Sequence, residues 1–104
     1  MKIGQVLKHI RINKGVSQKE MAEKLGISPN YLSLIESEKK EPSQDKIADF
    51  AEALNISKEA LLLASTDAPS ELNEKDRRDF TRLQKNIVSL LVFELTGTLE
   101  QGAK

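Results

Sequence analysis

Residues 17–36 read SQKEMAEKLGISPNYLSLIE, and the spacing within them decides the fold. Ser17 stands three residues before Glu20, the signature of a capping box that opens a helix. Met21, Ala22 and Leu25 follow as its buried stripe. Gly26 supplies the left-handed residue that ends such a helix. Ser28 caps a second helix and Pro29 takes its first position, where a missing N–H costs nothing. Leu32 and Ile35 turn inward. Neither helix is long enough to be stable alone in water, so the two must pack on each other and on the rest of the chain.

The flanking sequence supplies that packing. Ile3, Val6, Leu7 and Ile10 fall on one face of a first helix over about residues 3–14, stopped by Gly15. The run SEKKEP at 37–42 reads as a polar loop closed by a proline. Ser43 caps a fourth helix with Ile47, Ala48, Phe50, Ala51 and Leu54 apolar, ended by Asn55. Ser57 caps a fifth with Ala60, Leu61 and Leu63 apolar. Residues 67–72 form a linker. Asn73 then caps a last helix whose first turn holds Glu74 and Asp76, complementing the helix dipole. It is charged up to Lys85 and apolar beyond, extending to about Leu99 before Gly102. The expected architecture is all-α: five helices over residues 1–66 and an amphipathic C-terminal segment over 73–104.

Composition narrows the function. Hydrophobic residues make up 38% and charged residues 31% of 104, with only 4% aromatic, which suits a folded helical chain. There is no cysteine and one histidine, so disulfides and thiolate metal sites are excluded, and His9 alone makes no metal centre. No nucleophile–base pair, metal cluster or glycine-rich phosphate loop stands out, so neither an enzyme nor a cofactor is expected. MKIGQVLKHI at the start lacks the apolar run of a signal peptide. The longest apolar stretch, IVSLLVFEL at 87–95, is too short to span a bilayer. A cytoplasmic protein is expected. Net charge is zero, yet residues 1–19 carry Lys2, Lys8, Arg11, Lys14 and Lys19 with no acid, while 47–72 carry one lysine against Asp49, Glu52, Glu59, Asp67 and Glu71. Such a lopsided field steers a polyanion to one face.

The eight positions Gln18, Met21, Ala22, Leu25, Gly26, Ile27, Leu32 and Ile35 complete a helix-turn-helix: a small residue at the helix crossing, a turn residue tolerant of positive φ, and aliphatic wedges on both sides. With KKEPS and IADFAEALNIS after it, the segment resembles the DNA-binding domain of the lambda-repressor and Cro type, the xenobiotic-response-element family, over about two thirds of the chain. The resemblance implies a five-helix bundle that binds operator DNA, usually as a dimer, with the start of the third helix in the major groove.

Carried over residue by residue, it implies that the third helix, about residues 29–37, presents Ser28, Pro29, Asn30, Tyr31, Ser33 and Leu34 to the DNA. The Asn30 amide can bond adenine N6 and N7 together. Ser33 can bond a base or a phosphate, Leu34 can press on a thymine methyl, and Tyr31 can reach a phosphate or stack on a sugar edge. Pro29 stands where many relatives place a polar reader, which removes one direct contact. Gln18 lies at a helix start suited to holding a phosphate. Lys39 and Lys40, with Lys14 and Lys19, are candidate phosphate contacts. The resemblance also implies an Arg11–Glu36 ion pair pinning the first helix to the third.

The tail carries no comparable motif. Phe80, Leu83, Ile87, Leu90, Leu91 and Leu95 lie along one broad face, widened by Val88, Val92, Phe93 and Leu99. A helix apolar nearly all round must be covered. The preferred cover is a second copy in a twofold homodimer. Folding back on the domain and binding a different protein, as an antitoxin does, are the alternatives. The resemblance thus leads to a prokaryotic or phage repressor that binds double-stranded, palindromic operator DNA.

Overall fold

The computed structural model describes residues 1–97, and all regular structure among them is helical: α1 (Ile3–Lys14), α2 (Gln18–Leu25), α3 (Pro29–Glu36), α4 (Gln44–Leu54), α5 (Lys58–Ser65) and α6 (Glu74–Thr96). The serine caps act as their positions demand. Ser17 and Glu20 form the reciprocal capping box of α2. The hydroxyls of Ser28, Ser43 and Ser57 accept from the amides of Tyr31, Lys46 and Ala60, and the Asn73 side chain accepts from the Asp76 amide. Each such cap contributes about 1 kcal/mol. Gly26 adopts φ 75 at the end of α2, and Asn55 takes the same left-handed role after α4 with φ 59.

One core joins the six helices. Val6, Leu7 and Ile10 of α1, Met21 and Ala22 of α2, Leu32 and Ile35 of α3, and Phe50 and Ala51 of α4 are all buried in it. α1 comes very close to α3. A Cβ on Gly4 would overlap the Ile35 carbonyl oxygen and lie 2.9 Å from its carbon. Glycine weakens a helix by roughly 0.5–1 kcal/mol; here it lets the two backbones touch.

Of the apolar residues of α5, Leu61 and Ala64 face inward, while Leu63 is exposed. Positions three apart share a helix face and Leu63 falls off it. One assignment changes, in α6, which folds back on α5 and α1. Val88, Leu91 and Val92 enter the core at 3% exposure or less, Leu95 packs beside them, and Leu83, Leu90 and Phe93 stay exposed. Leu91 and Leu95 therefore leave the face assigned to a partner chain. At 100° per residue, Leu90 and Leu91 cannot share a contact. Each side chain so buried contributes about 1.5–3 kcal/mol. Gln84, also buried, donates from Nε2 to the carbonyls of Leu63 and Thr66, closing the end of α5. α6 ends at Thr96, with Gly97 left-handed; Leu99 and Gly102 lie outside the described residues.

Candidate nucleic-acid interface

The site is built around α3. Its inner end is locked by a carboxylate. Arg11 donates from Nε to Glu36 Oε2 at 2.9 Å and from Nη2 to Oε1 at 3.0 Å, and from Nη1 to the Val16 carbonyl at 3.2 Å. Gln18 Nε2 donates to Glu36 Oε1 at 2.9 Å. The Glu36 side chain is 3% exposed and that of Arg11 15%. A charge buried this deeply is tolerable only with its acceptor sites satisfied. The two-pronged guanidinium contact adds direction as well as energy. One carboxylate thus ties α1, α2 and α3 together and fixes the aim of α3.

The opposite end of α3 projects into solvent. Ser28, Pro29 and Asn30 are exposed, while Tyr31, Ser33 and Leu34 are half-buried. The Asn30 amide is the most outward hydrogen-bonding side chain of the helix. Two other residues differ from the sequence expectation. Tyr31 packs partly against the core, so its ring is not directed wholly outward. Gln18 is half-buried with its amide nitrogen on Glu36; a phosphate at this end of α2 would meet the first-turn backbone N–H groups instead.

Beyond α3 the chain turns sharply. Glu38 N donates to the Ile35 carbonyl at 3.0 Å and Lys39 N to that of Leu34 at 2.9 Å, with Lys40 N also on Leu34 at 3.2 Å. The first two bonds are those of a Schellman closure. They bring Lys39 and Lys40, both exposed, back beside the helix that carries Asn30. Lys19 is exposed at the start of α2, and Lys14 is half-buried at the end of α1.

Two residues of this region are missed by sequence reasoning. Gln5 Nε2 donates to Glu38 Oε2 at 2.7 Å, and Glu38 has φ 65, a value that costs a non-glycine residue about 1 kcal/mol or more. Nothing in the local pattern marks either one. Gly4 did leave a signal, since a glycine within a helical run usually has a packing reason.

No helix among the described residues is long and apolar enough to cross a membrane. Residues 7–61 match the helix-turn-helix family model, which embraces α2, α3 and the turn between them. The chain is 38% identical over 76 residues to the HTH-type transcriptional regulator ImmR of Bacillus subtilis, covering 73% of this chain and 58% of that protein. It is 31% identical over 90 residues to the immunity repressor protein of Bacillus phage phi105, covering 84% and 62%. A Mycobacterium tuberculosis HTH-type regulator, itself uncharacterized, is 36% identical over 72 residues, 68% of this chain and 51% of that one. The chain thus spans between half and two thirds of the length of these relatives. No solved structure matches significantly. The chain belongs to the lambda-repressor-like helix-turn-helix family.

Proposed function

We propose that this protein is a sequence-specific DNA-binding transcriptional regulator, a repressor, acting on cytoplasmic DNA. The observation that carries the reading is the solvent-exposed Ser28–Asn30 tip of a helix whose other end is locked by Arg11, Gln18 and Glu36. A reader of base edges needs both features, because a loosely held helix would lose the register that hydrogen bonding to bases requires. Asn30 reads adenine, Ser33 and Leu34 contact neighbouring base edges, Tyr31 reaches the sugar–phosphate backbone, and Ser28 and Pro29 line the approach. Lys19, Lys39 and Lys40 neutralise phosphates, helped by the N-terminus of α2 at Gln18. The name of the phage phi105 relative, an immunity repressor protein, supports repression in particular.

The protein binds a palindromic operator as a homodimer through the uncovered side of α6. Leu83, Leu90 and Phe93 are exposed there, Phe80 is half-buried, and Ile87 sits at the edge of the stripe, half-buried against the core. The same stripe would equally suit a different protein, and this is the second reading: a partner-binding regulator of the antitoxin type. Selection of bound sequences from random duplex DNA tests the first reading. Enrichment of a palindrome with half-sites one helical turn apart, roughly 34 Å, is expected. Affinity should fall steeply as salt rises, through release of counterions from the phosphates. Enrichment of nothing, with binding indifferent to salt, would overturn it. An asymmetric single half-site bound by a monomer would leave α6 to the second reading.

A further inference from the structure

We infer that Gln5 and Glu38 form a clamp that positions the Lys39–Lys40 turn, so that a residue of α1 sets how two lysines meet the DNA backbone. The inference rests on the DNA-binding reading and adds to it a positioning residue that lies outside the helix-turn-helix, on α1. Glu38 occupies a position that does not suit it. The closure after α3 puts its left-handed position at Glu38, φ 65. This is the position at which glycine is most favoured, because any Cβ crowds the neighbouring carbonyl. The side chain chosen also sets a negative charge next to the two lysines proposed to meet phosphates. Backbone conformation and electrostatics both disfavour glutamate here.

The compensation is the bond to Gln5. Its Nε2 lies 2.7 Å from Glu38 Oε2, a short contact of the kind an ionised acceptor gives. Gln5 belongs to the first turn of α1, immediately after Gly4, whose missing side chain lets α1 rest on the Ile35 carbonyl. The turn is therefore held from two directions. Backbone bonds to Leu34 and Ile35 tie it to α3, and the Glu38 side chain ties it to α1. Lys40 lines the same small cleft as Gly4, Ile35 and Glu38, so the second lysine of the turn lies directly at this junction. A glycine at position 38 would make the turn more easily and leave it without the second tether.

The test uses the full chain and two readouts. Duplex-DNA affinity is measured across a salt series for the wild type, Gln5→Ala, Glu38→Gln and Glu38→Gly, and amide hydrogen exchange is followed at Lys39 and Lys40. Gln5→Ala should weaken binding about threefold, the loss of one modest hydrogen bond. It should also make the salt slope shallower by about one phosphate contact and speed exchange at the Lys39 amide. Glu38→Gln keeps an acceptor for Gln5 and should retain the slope. Glu38→Gly should fold at least as stably as the wild type and yet bind like Gln5→Ala. Unchanged slope and unchanged exchange in Gln5→Ala would overturn the clamp. Tighter binding by Glu38→Gly would do so as well, by reducing Glu38 to a repulsive charge. A wild type without salt-dependent duplex binding would instead refute the DNA-binding reading, and the exchange rates at Lys39 and Lys40 would then decide the clamp by themselves.

Discussion

The α2–α3 unit and α6 are both amphipathic, but they use their second faces differently. In α3 the face turned from the core is small and polar at its tip, and the buried end is fastened by an ion pair with Arg11 and a hydrogen bond from Gln18. In α6 one apolar stripe is buried against α5 and α1, while a second stripe through Leu83, Leu90 and Phe93 meets solvent. A polar exposed tip needs no cover and is ready for a wet, charged ligand. An apolar exposed stripe has no such ease in water, and in the proposed reading it is where a second chain docks. The two regions thus divide the proposed work between reading DNA and joining subunits.

The division is most exposed to test at the α3 anchor. Arg11→Ala leaves the Glu36 carboxylate buried with one amide as its remaining side-chain donor. A loss of about 3 kcal/mol or more is expected, measured by urea denaturation, and Arg11→Lys should restore only part of it because a lysine cannot supply the paired geometry. A loss below 1 kcal/mol would mean that α3 is held by its apolar contacts alone.

On α6 the two stripes should respond differently to the same change. Leu91→Ala should destabilise the fold by about 2–5 kcal/mol whatever the protein concentration, as a truncated core leucine does. Leu90→Ala should leave the monomer's stability within about 0.5 kcal/mol and weaken self-association, seen by sedimentation across a concentration range. If Leu90→Ala sediments as the wild type does, the outer stripe does not join copies of this chain.

Smaller contrasts lie within the DNA interface. Asn30→Ala should cost about 1–3 kcal/mol at the selected operator and relax preference at one base pair, whereas Lys39→Ala should weaken all sequences alike and lower the salt slope by about one. Equal loss on every sequence for Asn30→Ala would remove Asn30 from base reading.

Most of the fold was legible because its punctuation is local. A serine three residues before a helical amide, a glycine at a left-handed position and a proline at a first turn act within four residues of themselves, and the five inner helices follow from them. The buried face of α3 followed from Leu32 and Ile35 in the same way, while the resemblance supplied its outward-facing start. The resemblance, not the spacing, supplied the Arg11–Glu36 pair, since 25 residues separate the partners. What stayed hidden depends on which surface meets which. Leu90 and Leu91 are equivalent in the sequence, and only the location of α5 and α1 tells them apart. The Gln18 amide meets Glu36 across 18 residues, a contact that no local pattern reveals. Gln5 and Glu38 meet across 33 residues, with no periodicity to announce the meeting.

Gln84 carries a consequence of its own. Greasy contacts such as those of Val88 and Leu91 tolerate some sliding, since one aliphatic group substitutes well for another. An amide bonded to two fixed carbonyls, those of Leu63 and Thr66, does not: a slip of one residue would move it 1.5 Å along the rod and swing it through 100°. A single polar side chain thereby sets the rotation at which α6 seats. It follows that the direction in which the outer stripe faces is settled within the single chain.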